Sequence, residues 1–113
     1  MREKDIERSI CDYLYLKRYF FWKQPNGGYF DTAKKRFRPH ASKYVLKGIP
    51  DIIIIYKGRF IGIEVKSKKG VTSEYQRAFK NHCEANRGYY FVVRSVDDIE
   101  RYLKDVHNEL HED

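Results

Sequence analysis

Two apolar runs in the middle of the chain, separated by a lysine and a glycine, constrain the fold most. Residues 52–56 read Ile-Ile-Ile-Ile-Tyr, and residues 59–65 read Arg-Phe-Ile-Gly-Ile-Glu-Val. β-branched and aromatic residues favour strands, and a glycine in a short connection favours a tight turn. The pattern therefore predicts a β-hairpin over residues 51–67 that turns at Lys57-Gly58.

The length of this turn decides which residues of the two strands face each other. With a two- or four-residue turn, Ile55 faces Phe60 and Asp51 falls opposite Glu64, whereas a three-residue turn would break this register. Lys66 follows Glu64 by two positions and shares its face, because side chains alternate along a strand. The hairpin is therefore expected to gather two acids and a lysine at its open end.

Carboxylates that face each other across a strand pair repel, so this arrangement needs a compensating charge. Mg²⁺ is a candidate, since it takes one or two carboxylates together with waters and a phosphate oxygen. A lysine beside such a site can orient or deprotonate the attacking water, or stabilise charge on a phosphate. The competing interpretation is a strand that begins at Asp51 after Pro50, with Glu64 and Lys66 on a solvated surface. Their combined spacing favours the metal site.

Helical and strand patterns on both sides of the hairpin predict an α/β protein with a single domain over residues 1–113. Its order is α-β-loop-β-β-α-β-α, with elements at 3–18 (helix), 19–24 (aromatic strand), 25–49 (long basic loop), 51–67 (hairpin), 72–86 (helix), 89–95 (strand) and 96 onwards (helix). Thr72 or Ser73 is expected to cap the second helix, whose stripe of Tyr75, Phe79 and Cys83 is expected to be buried.

Charge and aromatic content favour a nucleic-acid partner. The chain has 113 residues, a net charge of +7, ten tyrosines and seven phenylalanines. Lysine and arginine attract phosphates, and aromatic rings stack on bases. No apolar run approaches the roughly 20 residues that span a bilayer, and the first residues carry no secretion signal, so a cytoplasmic protein without membrane contact is expected.

Several motifs together resemble one nuclease family. "GIPDIIII…GIEVKS" is similar to the PD-(D/E)xK motif, and the segments "EKDIERSICDYL", "WKQPNGG" and "TSEYQRAF" extend the resemblance to the VRR-NUC (virus-type replication-repair nuclease) family, stand-alone phage or bacterial type. The resemblance covers nearly the whole chain. It implies a restriction-endonuclease-like core, in which a central mixed β-sheet is flanked by helices, and an Mg²⁺-dependent phosphodiesterase that cuts DNA, with Mn²⁺ as a substitute.

The resemblance also assigns roles to individual residues. Asp51 and Glu64 would bind the metal together with the backbone carbonyl of Val65, and Lys66 would act on the water or the phosphate. Gln76 matches a glutamine near the family's site, although Ser73-x-x-Gln76 is also a capping box.

The family places a further glutamate on the first helix. Glu3 and Glu7 lie four residues apart on one helical face, and both fit the family's "E-x-x-I" opening. The sequence therefore leaves both residues as candidates for the additional acid of the site.

DNA contacts are expected from cations of the basic loop and of the segment after the hairpin. These are Lys34, Lys35, Arg36, Arg38, Lys43, Lys47, Lys68 and Lys69. The family resemblance suggests branched DNA as the substrate. The alternatives are a flap or less selective nuclease of replication and repair, and a basic DNA-binding module without catalytic activity.

The resemblance implies a homodimer that cuts four-way (Holliday) junctions, and two-fold symmetry suits a substrate that needs two symmetric nicks. Exposed tyrosines are candidates for its interface, because tyrosine is enriched at interfaces, although several of them must belong to the core. The candidates are Tyr13, Tyr15, Tyr19, Tyr89 and Tyr90.

Overall fold

A mixed sheet with helices on both faces forms the body of the protein. The computed structural model describes residues 1–25, 29–31, 36–38 and 43–111. In chain order the elements are α1 (Glu3–Leu16), β1 (Phe20–Lys23), β2 (Tyr29–Asp31), β3 (Arg36–Arg38), β4 (Ile52–Tyr56), β5 (Arg59–Val65), α2 (Glu74–Ala85), β6 (Tyr89–Val93) and α3 (Val96–Leu110). The main sheet has the strand order β1-β4-β5-β6. Within this sheet β5 and β6 pair in parallel, and the other neighbouring strands pair antiparallel. This mixed sheet with its helices confirms the predicted α/β class.

The hairpin turns where the sequence predicted. Lys57 and Gly58 form a two-residue connection between β4 and β5, and their φ angles of 52° and 77° have the signs that a type I′ turn requires. Ile55 pairs with Phe60 and Ile52 pairs with Ile63, which confirms the predicted register. Asp51 directly precedes β4, so the register brings it to the end of the sheet where β5 finishes.

The core lies between one face of this sheet and the helices α1 and α3. The sheet contributes side chains that alternate along β4 and β5, and each helix contributes a stripe at helical spacing. The fully or nearly fully buried members of the cluster are Ile6, Ile10, Leu14, Ile52, Ile54, Ile61, Ile63, Val65, Val93, Ile99, Leu103 and Val106. Burial of each such side chain stabilises the fold by about 1.5–3 kcal/mol before conformational entropy is subtracted.

The opposite face of the sheet is covered only in part, by α2. The Phe79 ring lies 6.1 Å from that of Phe60 and 6.0 Å from that of Tyr90, measured between centroids. The predicted burial of the stripe Tyr75–Phe79–Cys83 is wrong: no residue of α2 is buried, and Tyr75 is 54% exposed. The helix packs against β6 at the edge of the sheet, so part of its apolar stripe is exposed to solvent.

The basic stretch 25–49 differs from the single long loop that the sequence predicted. Strands β2 and β3 form a separate antiparallel pair in which Phe30 faces Phe37. Strands of three residues are too short to produce a recognisable alternation of polar and apolar positions. Lys34 and Lys35 lie outside the described residues.

No helix of the described ranges is long and apolar enough to cross a bilayer.

Gly48 fixes the approach of the chain to Asp51. Its φ is +80°, and a Cβ at this position would lie 2.4 Å from the backbone C and O of Tyr75 and 2.8 Å from the backbone N of Gln76. The segment before β4 therefore crosses the first turn of α2 at a distance that only glycine permits.

Two glycines with nearly equal φ allow the steric part of this constraint to be measured. Gly58 has φ +77°, but a Cβ added there would meet no atom within 4 Å. We expect Gly58→Ala to lower the free energy of unfolding by about 1–2 kcal/mol through backbone strain alone. Gly48→Ala adds a backbone clash and should cost at least ~1–3 kcal/mol more. Urea unfolding of both variants checks this, and equal losses would contradict the close crossing.

Candidate functional site

A pair of carboxylates lies at the open end of the hairpin. Asp51 Oδ2 accepts a hydrogen bond of 2.8 Å from the backbone N–H of Val65, across the strand pair. Glu64 is 4% exposed and is the one charged residue that is buried among those whose side chains the structure describes. A buried carboxylate needs partners, because its desolvation is costly.

Glu64 has donors on one oxygen only, among the residues described. Gln76 Nε2 donates to Glu64 Oε2 at 2.6 Å, and Lys66 Nζ lies 3.6 Å from the same oxygen. Glu64 Oε1 is buried and has no hydrogen-bond partner within the described ranges. The structure therefore brings together the acids, the lysine and the glutamine that the sequence singled out, and leaves one carboxylate oxygen available to a proton or a cation.

Gln76 both completes the capping box of α2 and contacts the carboxylate pair. Its Oε1 accepts from the Ser73 backbone N–H at 2.8 Å, and its own backbone N–H donates to Ser73 Oγ at 3.1 Å, which completes a capping box. The amide nitrogen of the side chain is left over and points to Glu64. The start of α2 thus aims a donor at the carboxylate pair.

Burial and the neighbouring Asp51 raise the affinity of Glu64 for a proton. Burial raises the pKa of Glu64, and the charge of Asp51 raises it further, to about 8, against the opposing effect of Lys66. Burial also raises the pKa of Asp51, while its bond to the Val65 N–H opposes this and the charge of Glu7 adds to it. A hydrogen bond between the two groups also raises the pKa of Glu64 and lowers that of Asp51, so Glu64 is the group that holds the proton. At neutral pH the metal-free pair therefore holds a proton.

Glu3 and Glu7 reach different sides of this site. The negative charge of Glu7 acts on Asp51, and Glu7 Oε1 also pairs with Lys23 Nζ at 2.9 Å. A Cβ added to Gly70 would lie 3.4 Å from Glu3 Oε2 and 3.3 Å from the Lys66 side chain, so Gly70 separates these two residues closely. Glu7 is thus near the acids and Glu3 near the lysine, and both remain candidates.

Arg94 holds the turn after Lys66, a role that no sequence motif indicated. Its Nη1 donates to the carbonyls of Ser67 at 2.5 Å, Gly70 at 2.8 Å and Lys68 at 3.3 Å. Three carbonyls on one guanidinium nitrogen fix the backbone that follows the lysine. Arg94 lies 24 or more residues after this turn, so no local pattern could have linked the two.

Tyr90 lies beside the carboxylates and is one of the candidate tyrosines that belong to the core, so it is excluded as an interface residue. It is 3% exposed, and its hydroxyl has no partner among the described residues. Burial raises its pKa, as do the charges of Glu64 and Asp51. Tyr90 faces Gly62 on the neighbouring strand, and so shares the face of Glu64. The alternation of side chains along β6 was the sequence signal that could have indicated the burial of Tyr90.

The cations predicted to contact DNA fall into three groups. Lys43 and Lys47 are exposed and lie over the rings of Tyr44 and Tyr75. Lys68 and Lys69 are exposed in the turn that Arg94 holds. The backbones of Arg36 and Arg38 lie in β3, and Lys34 and Lys35 are outside the described ranges.

The donor set at the hairpin end suits a divalent cation that needs few protein ligands. Within the described part of the chain, no group of three or more His, Cys, Asp or Glu side chains is placed to hold a metal. The pair Asp51–Glu64 nevertheless fits Mg²⁺, which binds proteins through one or two carboxylates and keeps several waters. The partnerless buried Oε1 of Glu64 is the observation that supports this fit.

Comparisons with known proteins add no family assignment. No protein-family model matches the chain, and no curated protein matches it. The chemistry of the site is therefore inferred from its geometry and from the motif resemblance.

The raised pKa of Glu64 predicts how stability depends on pH without metal. Between its ordinary value of 4.5 and about 8, folded Glu64 keeps a proton that the unfolded chain releases. The free energy of unfolding should therefore fall as pH rises through this window and level off above it. Glu64→Gln removes the titration and should be more stable than wild type near the upper end, by about 1 kcal/mol or more.

Urea unfolding in EDTA across this pH range measures the effect. The matched control is Glu84→Gln, an exposed acid on α2, which should keep the slope of wild type. Parallel pH profiles for wild type and Glu64→Gln would show that the carboxylates do not share a proton.

Proposed function

We propose that the protein is a divalent-metal-dependent DNA endonuclease with a PD-(D/E)xK core of the VRR-NUC type. The observation that carries the proposal is the buried Glu64 beside the half-buried Asp51, with Lys66 Nζ 3.6 Å from Glu64. A purely structural role is a weaker explanation, because a buried acid next to a second acid destabilises the metal-free fold and apolar residues would pack better. A strongly shifted carboxyl group beside a second acid and a lysine is instead typical of catalytic sites.

Each residue of the site has a distinct task in phosphodiester hydrolysis. Asp51 and Glu64 would hold the cation, with the Val65 carbonyl as a further ligand. Bound Mg²⁺ supplies positive charge to the phosphate and lowers the pKa of water. Lys66 orients the attacking water or stabilises negative charge on the phosphate as water adds and one P–O bond breaks. Gln76 keeps Glu64 in place through its 2.6 Å hydrogen bond.

DNA is the proposed substrate because of the charge of the chain and the placement of its lysines. The net charge is +7, and Lys68 and Lys69 follow Lys66 closely in an exposed turn. Cations that flank the reacting group position a phosphate backbone without reading its bases. This favours an enzyme that recognises DNA shape.

Asp51→Asn tests the metal site. We expect the variant to lose at least ~100-fold in cleavage rate with Mg²⁺, because one of two charged ligands is removed. DNA binding in EDTA should be unchanged or tighter, since the basic surface stays and a negative charge is gone. The control is Asp105→Asn, which removes an exposed acid on α3. Cleavage by Asp51→Asn at the wild-type rate would refute the proposal.

Within this function we propose a homodimer acting on four-way junctions, as the family resemblance implies. Two sites related by a two-fold axis match a substrate that needs two symmetric nicks. Labelled junction, flap and linear duplex should be compared with Mg²⁺ and with EDTA, and light scattering should give the number of chains per junction. We expect paired symmetric nicks by two chains. Preference for the flap would support a flap nuclease, and no cleavage of any DNA would support a binding module.

A further inference from the structure

A groove runs along α2 on the flank that no other element covers in the described chain. It has a volume of about 780 Å³, within the range of roughly 300–1,000 Å³ that ligand sites occupy. Its lining includes Leu46 and Lys47 from the segment before β4, the α2 stripe Tyr75–Phe79–Cys83, and Phe60. Leu46 and Tyr75 are 61% and 54% exposed, so a large apolar surface faces solvent.

The groove adjoins the carboxylate site through three connections. Tyr75 directly precedes Gln76, whose amide binds Glu64. Gly48, next to Lys47, crosses the backbone of Tyr75 and Gln76 in close contact. The Phe79 ring packs on Tyr90, which pairs with Gly62 and so lies on the same face of the sheet as Glu64. A molecule bound in the groove would therefore lie beside a phosphate held at the site.

The groove lining combines aromatic rings with positive charge. Tyr75, Phe79 and Phe60 contribute three rings, and Lys47 Nζ lies 4.9 Å from the centroid of the Tyr75 ring. None of the described lining residues is a carboxylic acid. Aromatic rings next to a cation are the combination that binds unpaired nucleotides, because bases stack on the rings and the cation attracts the phosphates.

We propose that this groove binds an unpaired nucleotide of the DNA, adjacent to the bond that is cut; the proposal rests on the proposed nuclease function. The charge of the groove argues against a second copy of the chain as the occupant. A two-fold interface brings the same patch of both copies together, and a patch whose described residues include the Lys47 cation and no carboxylic acid is not complementary to itself. A nucleotide supplies both the flat apolar surface and the negative charge that complement this lining.

Binding without cleavage tests the proposal. The probes are a blunt DNA duplex and the same duplex with a short single-stranded extension that carries the fluorescent base 2-aminopurine. In EDTA we expect wild type to prefer the extended duplex by about tenfold and to quench the fluorescent base by stacking. Tyr75→Ala should lose this preference, and Tyr75→Phe should keep it because the ring remains.

Two controls make the result specific. Phe20→Ala removes an aromatic ring that is 69% exposed on β1, at the sheet edge opposite the one against which α2 packs, and should leave the preference unchanged. An extension built from abasic sites should lose the preference, since it keeps the phosphates and removes the bases. Melting temperatures of all variants check that each one folds.

The outcomes separate this proposal from the nuclease function. Equal binding of both duplexes by wild type, or a preference that survives in folded Tyr75→Ala, would overturn the nucleotide site even if DNA is cut. A dimer that Tyr75→Ala splits, with an unchanged preference, would assign the groove to contact between copies and also overturn it. Preference and quenching without any cleavage in Mg²⁺ would support the groove and refute the nuclease.

Discussion

The register of the central hairpin is the constraint on which the site depends. Strand side chains alternate, so a shift of one residue would send Glu64 into the apolar core and Ile63 to the site. The two-residue turn at Lys57-Gly58, with φ positive at both positions, selects one pairing. The same pairing buries the alternate isoleucines against α1 and α3. The register set by this turn therefore determines both the burial of the core and the geometry of the site, and a change of register would alter both.

The open end of the same hairpin carries a free-energy cost that the rest of the fold offsets. Glu64 is buried beside the half-buried Asp51; the Gln76 amide and the Val65 N–H donate hydrogen bonds to the two acids, and Lys66 lies nearby. Gln76 contributes twice, because one side chain caps α2 and stabilises Glu64. Arg94 adds a second support from the end of β6. A metal-free state of limited stability is the expected result of such an arrangement, and any bound cation would relieve it.

Prediction from the sequence succeeded where the information was local. The hairpin, its register, the capped helix and the grouping of Asp51, Glu64 and Lys66 follow from short spacings and simple periodicity. The place of Gln76 near the acids was implied by the motif resemblance. It failed where tertiary packing decides the outcome. The stripe of α2 has a helical period that predicts burial, but the helix sits at the sheet edge and leaves Tyr75 exposed. Arg94 reaches a turn that is distant in the chain, and β2 and β3 are too short to carry a pattern.

The hairpin also has a consequence for the order in which the chain folds. Asp51 and Glu64 meet through a short loop, whereas Arg94 reaches its turn only after β6 has joined β5 in parallel through the crossover of α2. Local contacts form faster than distant ones, because loop closure costs less entropy. Repulsion between the acids thus arises early, before the later elements can offset it. We expect refolding without metal to slow as pH rises, which stopped-flow measurements would detect, whereas a refolding rate independent of pH would place the meeting of the acids after the main barrier.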